Sequence, residues 1–292
     1  MFPSRIILSR KGYDQASGGC PSPIFQDGTM FSIPIPENNK HTVPKGHTRF
    51  EDLEKQGEYC LPRELVTSSR PGRTFAGPVH LDPDIRPGLR PKLFSAVCGS
   101  SFIFGQDGGP QTHLVNQGVR EGDLFLFFGL FRWAMLRDGV AYFQRPERKM
   151  HVIWGWLQIG EIYPIQKQGP VPEGLKSATH HPHLHYRERT NNCIYKGASS
   201  LSFIKNVDGA GIFKKYDDDL RLTSPQEGRC SYWTLPSFFR RSGLSYNDPN
   251  KWETHGEYIY GKTVGRGQEF VTKTDGVESE ASIWLNALFR HA

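Results

Sequence analysis

The sequence lacks any long hydrophobic run. None of its 292 residues belongs to a stretch near the roughly 18 apolar residues that a membrane-spanning helix needs. The longest apolar stretch, residues 124–136, is interrupted by Gly129 and Arg132 and predicts a buried strand. The apolar run at residues 6–8 is too short for the core of a signal peptide. We therefore expect a cytoplasmic protein that does not associate with a membrane.

Cysteine is also scarce, and its spacing carries no pattern. The five cysteines are Cys20, Cys60, Cys98, Cys193 and Cys230. No two of them form a C-x-x-C pair, so neither a cysteine zinc site nor a disulfide framework is indicated. This usage agrees with a reducing cytoplasm.

Glycine and proline, in contrast, are abundant. The chain holds 31 Gly and 21 Pro, which divide it into short elements and argue against a helical bundle. The net charge of +6 is mildly basic. It is compatible with a phosphate-bearing partner and equally with an ordinary solvated surface.

The pattern of apolar residues predicts a β-rich α+β fold with long ordered loops. We interpret residues 1–292 as one domain with a loop-rich part (1–92), a β core (93–200) and a mixed C-terminal part (201–292). The predicted strands are residues 5–9, 30–35, 101–104, 124–131, 140–143 and 151–163; residues 48–55 are a predicted helix, and residues 232–242 and 281–289 are helical or partly so. The turn at Glu121, Gly122 and Asp123 before a long apolar strand is similar to PUA-like pseudobarrels, which hold RNA or a modified base.

The first of four polar clusters follows the first predicted strand. Arg10, Lys11 and Asp14 stand directly before Gly18 and Gly19. Cations beside glycine backbone N–H groups can hold a phosphate. The spacing is not that of a P-loop, and a charged surface turn explains the pattern as well.

In the second cluster His80, Asp82 and Asp84 alternate. In an extended backbone the three side chains point to one side, as metal ligands or an acid–base pair require. His-x-Asp is also the opening half of the two-histidine, one-carboxylate iron triad. A loop held by Asp-Pro turns is the alternative.

The third cluster contains amides and one histidine, namely Gln106, His113, Asn116 and Gln117. Amide side chains donate and accept in one plane, which matches the edge of a nucleobase, and His113 can carry a proton beside them. Capping and turn-stabilising roles are the alternative.

The fourth cluster is rich in histidine. His181, His183 and His185 alternate, and Asn192 follows them. On a strand face these histidines can bind a transition metal or pair with the carboxylates of the second cluster. Their neighbours lack the spacing of a zinc finger or of H-E-x-x-H, so the cofactor stays undetermined.

Several phrases of the sequence together resemble one family. They are SRKGYDQASGGCPSPI, HLDPD, the FGQDGG to QTHLVNQGV run, WGWLQIGEIY and HPH with NNCIY. Over residues 5–195 they are similar to the nucleotide modification associated domain 3 family. The resemblance implies a setting in bacterial or phage systems that alter or read DNA bases, with nucleotide or DNA as ligand and other DNA-modification enzymes as partners. It names no reaction.

The polar motifs of that family fall on the four clusters. From both we expect the catalytic residues Asp14, His80, Asp82 and His113, the substrate-binding residues Arg10, Lys11, Gln106, Asn116, Gln117, Arg132 and Asn192, and the metal-ligand candidates His181, His183 and Asp84. So many ionisable groups favour catalysis over passive recognition.

The leading hypothesis is therefore an enzyme acting on a nucleotide or a DNA base. The alternatives are a non-catalytic PUA-like reader of modified bases and a non-haem iron oxygenase built on His80, Asp82 and one histidine of residues 181–185. For an enzyme we expect Asp14, His80, His113 and His181 to converge in one cleft.

Overall fold

The structure is a computed structural model that describes residues 1–14, 18–37, 47–53, 62–69, 76–90, 102–138, 140–167, 169–185, 189–265 and 268–292. Its strands are β1 (Arg5–Arg10), β2 (Ser22–Ile24), β3 (Ile35–Pro36), β4 (Val79–His80), β5 (Ile103–Gln106), β6 (Leu124–Arg137), β7 (Val140–Phe143), β8 (Met150–Pro164), β9 (Cys193–Gly197), β10 (Ala210–Ile212), β11 (Tyr232–Pro236), β12 (Glu253–His255), β13 (Tyr258–Lys262) and β14 (Glu269–Lys273). Its α-helices are α1 (Phe50–Leu53), α2 (Pro62–Ser69), α3 (Gly108–Asn116), α4 (Phe238–Ser242) and α5 (Glu278–Phe289). Short 3-10 helices cover Pro87–Leu89, Glu173–Ala178, Pro182–Leu184, Asp218–Leu220 and Pro249–Lys251.

The centre of the fold is a mixed sheet with the strand order β14-β1-β6-β8-β9-β5. β1 and β2 run parallel to β6, whereas β8 and β7 pair with it in antiparallel fashion. The first eight residues of β6 and the first ten of β8 are buried. A strand covered on both faces reads as a near-continuous apolar run, and this explains the LFLFFGLF sequence of β6.

The described sheet does not close into a barrel. Its outermost strands in the main order, β14 and β5, are separated by four strands and pair with β1 and β9 respectively. The prediction of a β-rich α+β fold is confirmed, but the PUA-like pseudobarrel is not observed among the described residues. The division into parts 1–92, 93–200 and 201–292 stays a prediction.

The predicted strands within the sheet are mostly confirmed. Strands occur at residues 5–9, 124–131, 140–143 and 151–163, and the helix at residues 281–289 is confirmed as part of α5. The strand predicted at 101–104 begins later, at Ile103, with residue 101 outside the described residues. Residues 232–242 divide into the strand β11 and the helix α4.

Two predictions in the N-terminal part need correction. Only Ile35 of the predicted strand 30–35 belongs to a strand, because Pro34 has no N–H to donate and the Ile33 N–H donates instead to the Ser22 hydroxyl. The helix predicted at 48–55 is present but begins two residues later, as α1 at Phe50, and residues 54–55 lie outside the described residues.

A second, smaller core anchors the N-terminal segments. Tyr13, Val79 and Leu81 belong to this core, and each is adjacent in sequence to a polar residue of the clusters described above. Phe50 and Leu53 of α1 pack into the same core. Burial of these apolar side chains therefore fixes the backbone that carries Asp14, His80 and Asp82.

In the part of the chain that the structure describes, no helix is both long enough and apolar enough to span a membrane.

Candidate functional site

Polar side chains from distant parts of the chain meet in one cleft of about 400 Å³, which we call the polar cleft. The described residues that line it are Arg10, Lys11, Gly12, Asp14, Ile35, Pro36, Glu37, His80, Asp82, Gln106, Asp107, Pro110, His183, Arg189 and Gln268. Small-molecule sites have volumes of roughly 300–1,000 Å³. The polar cleft therefore has room for a ligand the size of a nucleobase or a mononucleotide.

The end of β1 brings two cations to the polar cleft. Within the described residues, the Arg10 guanidinium donates one hydrogen bond, to the Gly265 carbonyl oxygen at 3.2 Å. The Lys11 ammonium instead lies 3.1 Å from a carboxylate oxygen of Glu269 and 4.5 Å from the centre of the Phe104 ring. Arg10 thus keeps donors for a ligand, whereas Lys11 is already paired.

Glu269, at the start of β14, is a buried acid that the sequence analysis missed. Its side chain is fully buried, and its Oε1 accepts a hydrogen bond from Gln106 Nε2 at 2.5 Å. Burial raises the pKa of Glu269, and Lys11 opposes that shift. The sequence signal that could have identified Glu269 is an acid directly before the apolar residues Phe270 and Val271. It was missed because Glu269 does not belong to any of the four polar clusters.

The segment from His80 to Asp84 is held by pairing at both ends. His80 pairs with Ile35 between β4 and β3, and Asp84 forms a backbone bridge to Ile103. His80 Nδ1 lies 2.9 Å from Glu37 Oε2, and His80 Nε2 lies 3.7 Å from Asp82 Oδ2. Asp82 Oδ1 accepts a hydrogen bond of 2.8 Å from the Gly105 N–H. Asp82 is therefore fixed by one oxygen and faces His80 with the other.

Asp84 does not share this arrangement, contrary to the expectation that three alternating side chains point to one side. Its carboxylate accepts from Arg90 Nε at 2.8 and 2.9 Å and lies 2.8 Å from His180 Nε2. Asp84 is fully buried and is not among the described residues that line the polar cleft. The alternation fails because only the His80 end of the segment is a strand.

The histidine-rich segment is a turn rather than a strand, which corrects the second expectation of alternation. Pro182 begins a 3-10 helix at Pro182–Leu184, so His181, His183 and His185 do not share a strand face. His183 Nε2 lies 3.6 Å from Asp82 Oδ2, and His183 Nδ1 lies 2.8 Å from Asn192 Oδ1. His181 is fully buried behind the cleft, with its Nε2 3.3 Å from Asp82 Oδ1.

Gly105 makes this packing possible. A Cβ atom at that position would lie 2.3 Å from two ring atoms of His183, closer than real Cβ atoms approach. The same glycine donates its N–H to Asp82. Only a residue without a side chain can therefore hold the aspartate and accept the histidine ring against the strand.

The buried groups around Asp82 shift one another's pKa values. Burial lowers the pKa of His80, but the adjacent carboxylates of Asp82 and Glu37 outweigh that effect and raise it to about 9. Burial lowers the pKa of His183 to about 4. Burial raises the pKa of Asp82, but the adjacent imidazoles of His181 and His80 outweigh it and hold that pKa well below its ordinary value. The carboxylates thus favour a proton on His80, whereas burial disfavours one on His183.

The amide cluster lies mostly outside the polar cleft. His113, on α3, has its Nε2 3.0 Å from the Ser245 hydroxyl and stacks on Tyr246. Asn116 is exposed at the end of α3, and the Gln117 carbonyl accepts from the Arg5 side chain. Of this cluster, Gln106 lines the cleft, and its amide is engaged by Glu269 and the Asp107 N–H.

Two further predicted residues have other surroundings. Arg132 donates to the Gln144 carbonyl oxygen at 2.9 Å and lies over the Phe143 ring. Asn192 is buried and contacts His183 through both ends of its amide. Of the four residues expected to converge, Asp14 and His80 line the polar cleft, His181 lies behind it, and His113 is not among its described lining.

Fold and site together define a β-rich α+β protein with a cleft in which the described residues bring together a guanidinium, carboxylates and imidazoles. The chain belongs to the nucleotide modification associated domain 3 family, whose family model matches residues 5–273. The resemblance noted in the sequence is thereby confirmed, and it associates the protein with nucleotide modification. Comparisons with curated proteins and with solved structures found no match.

Proposed function

We propose that the protein binds a nucleotide or a DNA base in the polar cleft and modifies it there. The observation that carries this proposal is the convergence of Arg10, His80, Asp82 and His183 in one cleft of about 400 Å³. Family membership supports the ligand class. Other enzymes of a DNA-modification system are the proposed partners.

Arg10 is the proposed phosphate contact. Its guanidinium has five N–H donors, of which one is used within the described residues, by the Gly265 carbonyl oxygen. Arg10 and phosphate oxygens can form paired, charge-assisted hydrogen bonds. Lys11 contributes positive charge but is held by Glu269, so we assign it mainly to supporting the site.

His80 and Asp82 are the proposed catalytic groups. Glu37 Oε2 lies 2.9 Å from His80 Nδ1, and His80 Nε2 lies 3.7 Å from Asp82 Oδ2. An imidazole nitrogen and a carboxylate oxygen at a cleft wall can bind and polarise the reacting group of a ligand. Asp14 lines the same cleft and is a further acidic contact for the ligand.

A base-reading function is the competing proposal, and the described lining of the polar cleft weighs against it at this site. A reader stacks bases on exposed aromatic rings. Trp154, Trp156 and Phe131 are at most 4% exposed and belong to the main core. The described lining of the polar cleft contains no Phe, Tyr or Trp.

The test compares Arg10→Ala with Arg137→Ala, which removes the same charge from an exposed position outside the described lining of the cleft. Purine and pyrimidine nucleotides and short single-stranded DNA are titrated against each variant. Loss of a charge-assisted contact should weaken binding roughly 10- to 100-fold for every accepted base, since a phosphate contact carries no base information. Arg137→Ala should bind like the wild type.

Modification is then followed by mass spectrometry of nucleosides from DNA and nucleotides incubated with the wild type and with Asp82→Asn. A change of mass that requires Asp82 supports an enzyme. Binding without any change of mass in the presence of a complete cell extract would establish a reader. Equal nucleotide affinity of wild type and Arg10→Ala would overturn the assignment of the polar cleft as the binding site.

A further inference from the structure

Three side chains of the polar cleft place atoms that can bind a metal ion close to one another. Among the described residues, His80, Asp82 and His183 each have a ligand atom within 4.8 Å of the other two. The Nε2 atoms of His80 and His183 lie 3.7 and 3.6 Å from the same oxygen, Asp82 Oδ2. We call these residues the His-Asp-His triad.

The spacing of the triad is close to what one ion requires. Two ligands bonded at about 2.1 Å to a common metal lie roughly 3.0–3.4 Å apart at tetrahedral or octahedral angles. The observed 3.6 and 3.7 Å from Asp82 exceed this by a few tenths of an ångström, and the two histidine nitrogens lie within 4.8 Å of each other. Binding of an ion therefore requires the two imidazoles to move closer together around Asp82 Oδ2.

Both histidines are oriented through their far nitrogen. His80 Nδ1 is 2.9 Å from the Glu37 carboxylate, and His183 Nδ1 is 2.8 Å from the Asn192 amide oxygen. Asn192 Nδ2 donates to the His183 carbonyl oxygen, which fixes which end of the amide faces the ring. Because each oxygen accepts from Nδ1–H, each ring directs Nε2 toward Asp82, and a metal ion bound there displaces any proton from Nε2. Carboxylate or carbonyl acceptors behind imidazole ligands are usual in metal sites.

The two carboxylate oxygens of Asp82 have different partners. Oδ1 accepts from the Gly105 N–H at 2.8 Å and lies 3.3 Å from His181 Nε2. His181 Nδ1 accepts from the His183 N–H at 3.4 Å, so the His181 proton is on Nε2 and faces Asp82. That Nε2 is fully buried and has no well-aligned acceptor among the described residues. Oδ2 is thus the oxygen directed at the two imidazoles.

We infer that the His-Asp-His triad binds a single divalent transition-metal ion. Two imidazoles and one carboxylate with remaining positions open toward a cleft suit Fe(II), and also Zn(II) or Co(II). Mg²⁺ and Ca²⁺ prefer all-oxygen ligands and do not suit the triad. The other coordination positions face the polar cleft, where a ligand or water completes the shell. Glu37, Asn192 and His181 orient the ligands.

The test uses untagged protein stripped with a chelator and titrated with Co²⁺ alone, followed by visible absorption and calorimetry. We expect one equivalent to bind, Fe²⁺ under anaerobic conditions and Zn²⁺ to compete, and Mg²⁺ not to compete. His80→Gln and Asp82→Asn should each abolish stoichiometric binding. Asn192→Ala, which leaves all three ligands in place, should weaken Co²⁺ binding by roughly 10- to 100-fold.

The matched control is His291→Gln, which alters the second group of candidate ligands, Asp217, Asp219 and His291, on the surface. Its Co²⁺ affinity should equal that of the wild type. Circular dichroism checks that every variant is folded. If a ligand variant does not fold, Asn192→Ala still tests the site, because it keeps all three ligands. No uptake by folded wild type at millimolar Co²⁺, or uptake that is lost in His291→Gln but kept in Asp82→Asn, would overturn the inference. No nucleotide is present, so failure of the proposed function leaves this result standing.

Discussion

Replacing Lys11 by Met tests the buried ion pair that supports the cation side of the polar cleft. The Lys11 ammonium is 3.1 Å from Glu269, whose side chain is fully buried. Removing only the cation leaves an uncompensated carboxylate, and breaking a buried pair in this way costs about 3–5 kcal/mol. The variant can avoid part of that cost, because Glu269 can take up a proton.

The pH sets the size of the effect. Protonating Glu269 costs about 1.4 kcal/mol for each pH unit above its ordinary pKa of 4.5. At pH 7 this limits the destabilisation to about 3 kcal/mol, and at pH 5 to about 1 kcal/mol. In the variant the folded pKa is raised above the unfolded one, so the folded state binds more protons. Stability relative to the wild type is therefore lost as pH rises through the pKa of Glu269 in the folded wild type, which burial places above 4.5.

Urea denaturation of the wild type, Lys11→Met, Glu269→Gln and the double variant between pH 5 and 8 measures these free energies. The double variant removes both charges and should recover most of the stability at pH 7, since a neutral amide needs no counterion. A loss in Lys11→Met that is the same at pH 5 and pH 8, or a double variant no more stable than the single one, would refute the reasoning.

Two further predictions concern His151 and Gly105. Burial lowers the pKa of His151 to about 3 from an ordinary 6.5, so the folded state binds fewer protons and stability falls as pH drops below 6.5. By pH 5 the loss of unfolding free energy measured by urea denaturation should reach about 2 kcal/mol. The loss should be missing in His151→Gln, whose amide oxygen can still accept the hydrogen bond from Trp233. Equal pH profiles of wild type and His151→Gln would contradict this prediction. Gly105→Ala should lower Co²⁺ affinity roughly 10- to 100-fold by displacing His183, whereas Gly109→Ala, where a Cβ meets nothing within 4 Å, should not.

The strands of the sheet that could be predicted are those whose own sequence is a long apolar run. The long apolar runs of β6 and β8 exclude solvent on both faces and can be recognised without knowing their partners. The segment at residues 30–35 is also mostly apolar, but Pro34 and the hydrogen bond from the Ile33 N–H to the Ser22 hydroxyl prevent a ladder. The open order of the sheet depends on which strands pair. A PUA-like barrel could therefore not be excluded from local pattern alone.

The candidate site was predictable as a set of segments but not as a geometry. Arg10, His80 and Asp82 were selected because their local spacing favours ligand binding, and all three line the polar cleft. Which histidine faces Asp82 depends on the 3-10 turn that begins at Pro182, and a strand pattern gave the wrong faces. Glu37 carries no motif, and its role follows only from the pairing of β3 with β4.

The described lining of the polar cleft implies recognition by charge and hydrogen bonds rather than by stacking. Next to the cleft the aromatic side chains are buried, with Phe104 beside Phe127 beneath the Lys11 ammonium. In the proposed function a ligand in the cleft meets the Arg10 guanidinium and, in the further inference, a metal ion on the His-Asp-His triad, both of which attract anionic and electron-pair-donating groups. Such contacts position a reacting atom without a large apolar surface. We therefore propose that the cleft acts on a phosphate-bearing or base heteroatom group rather than holding a base by stacking.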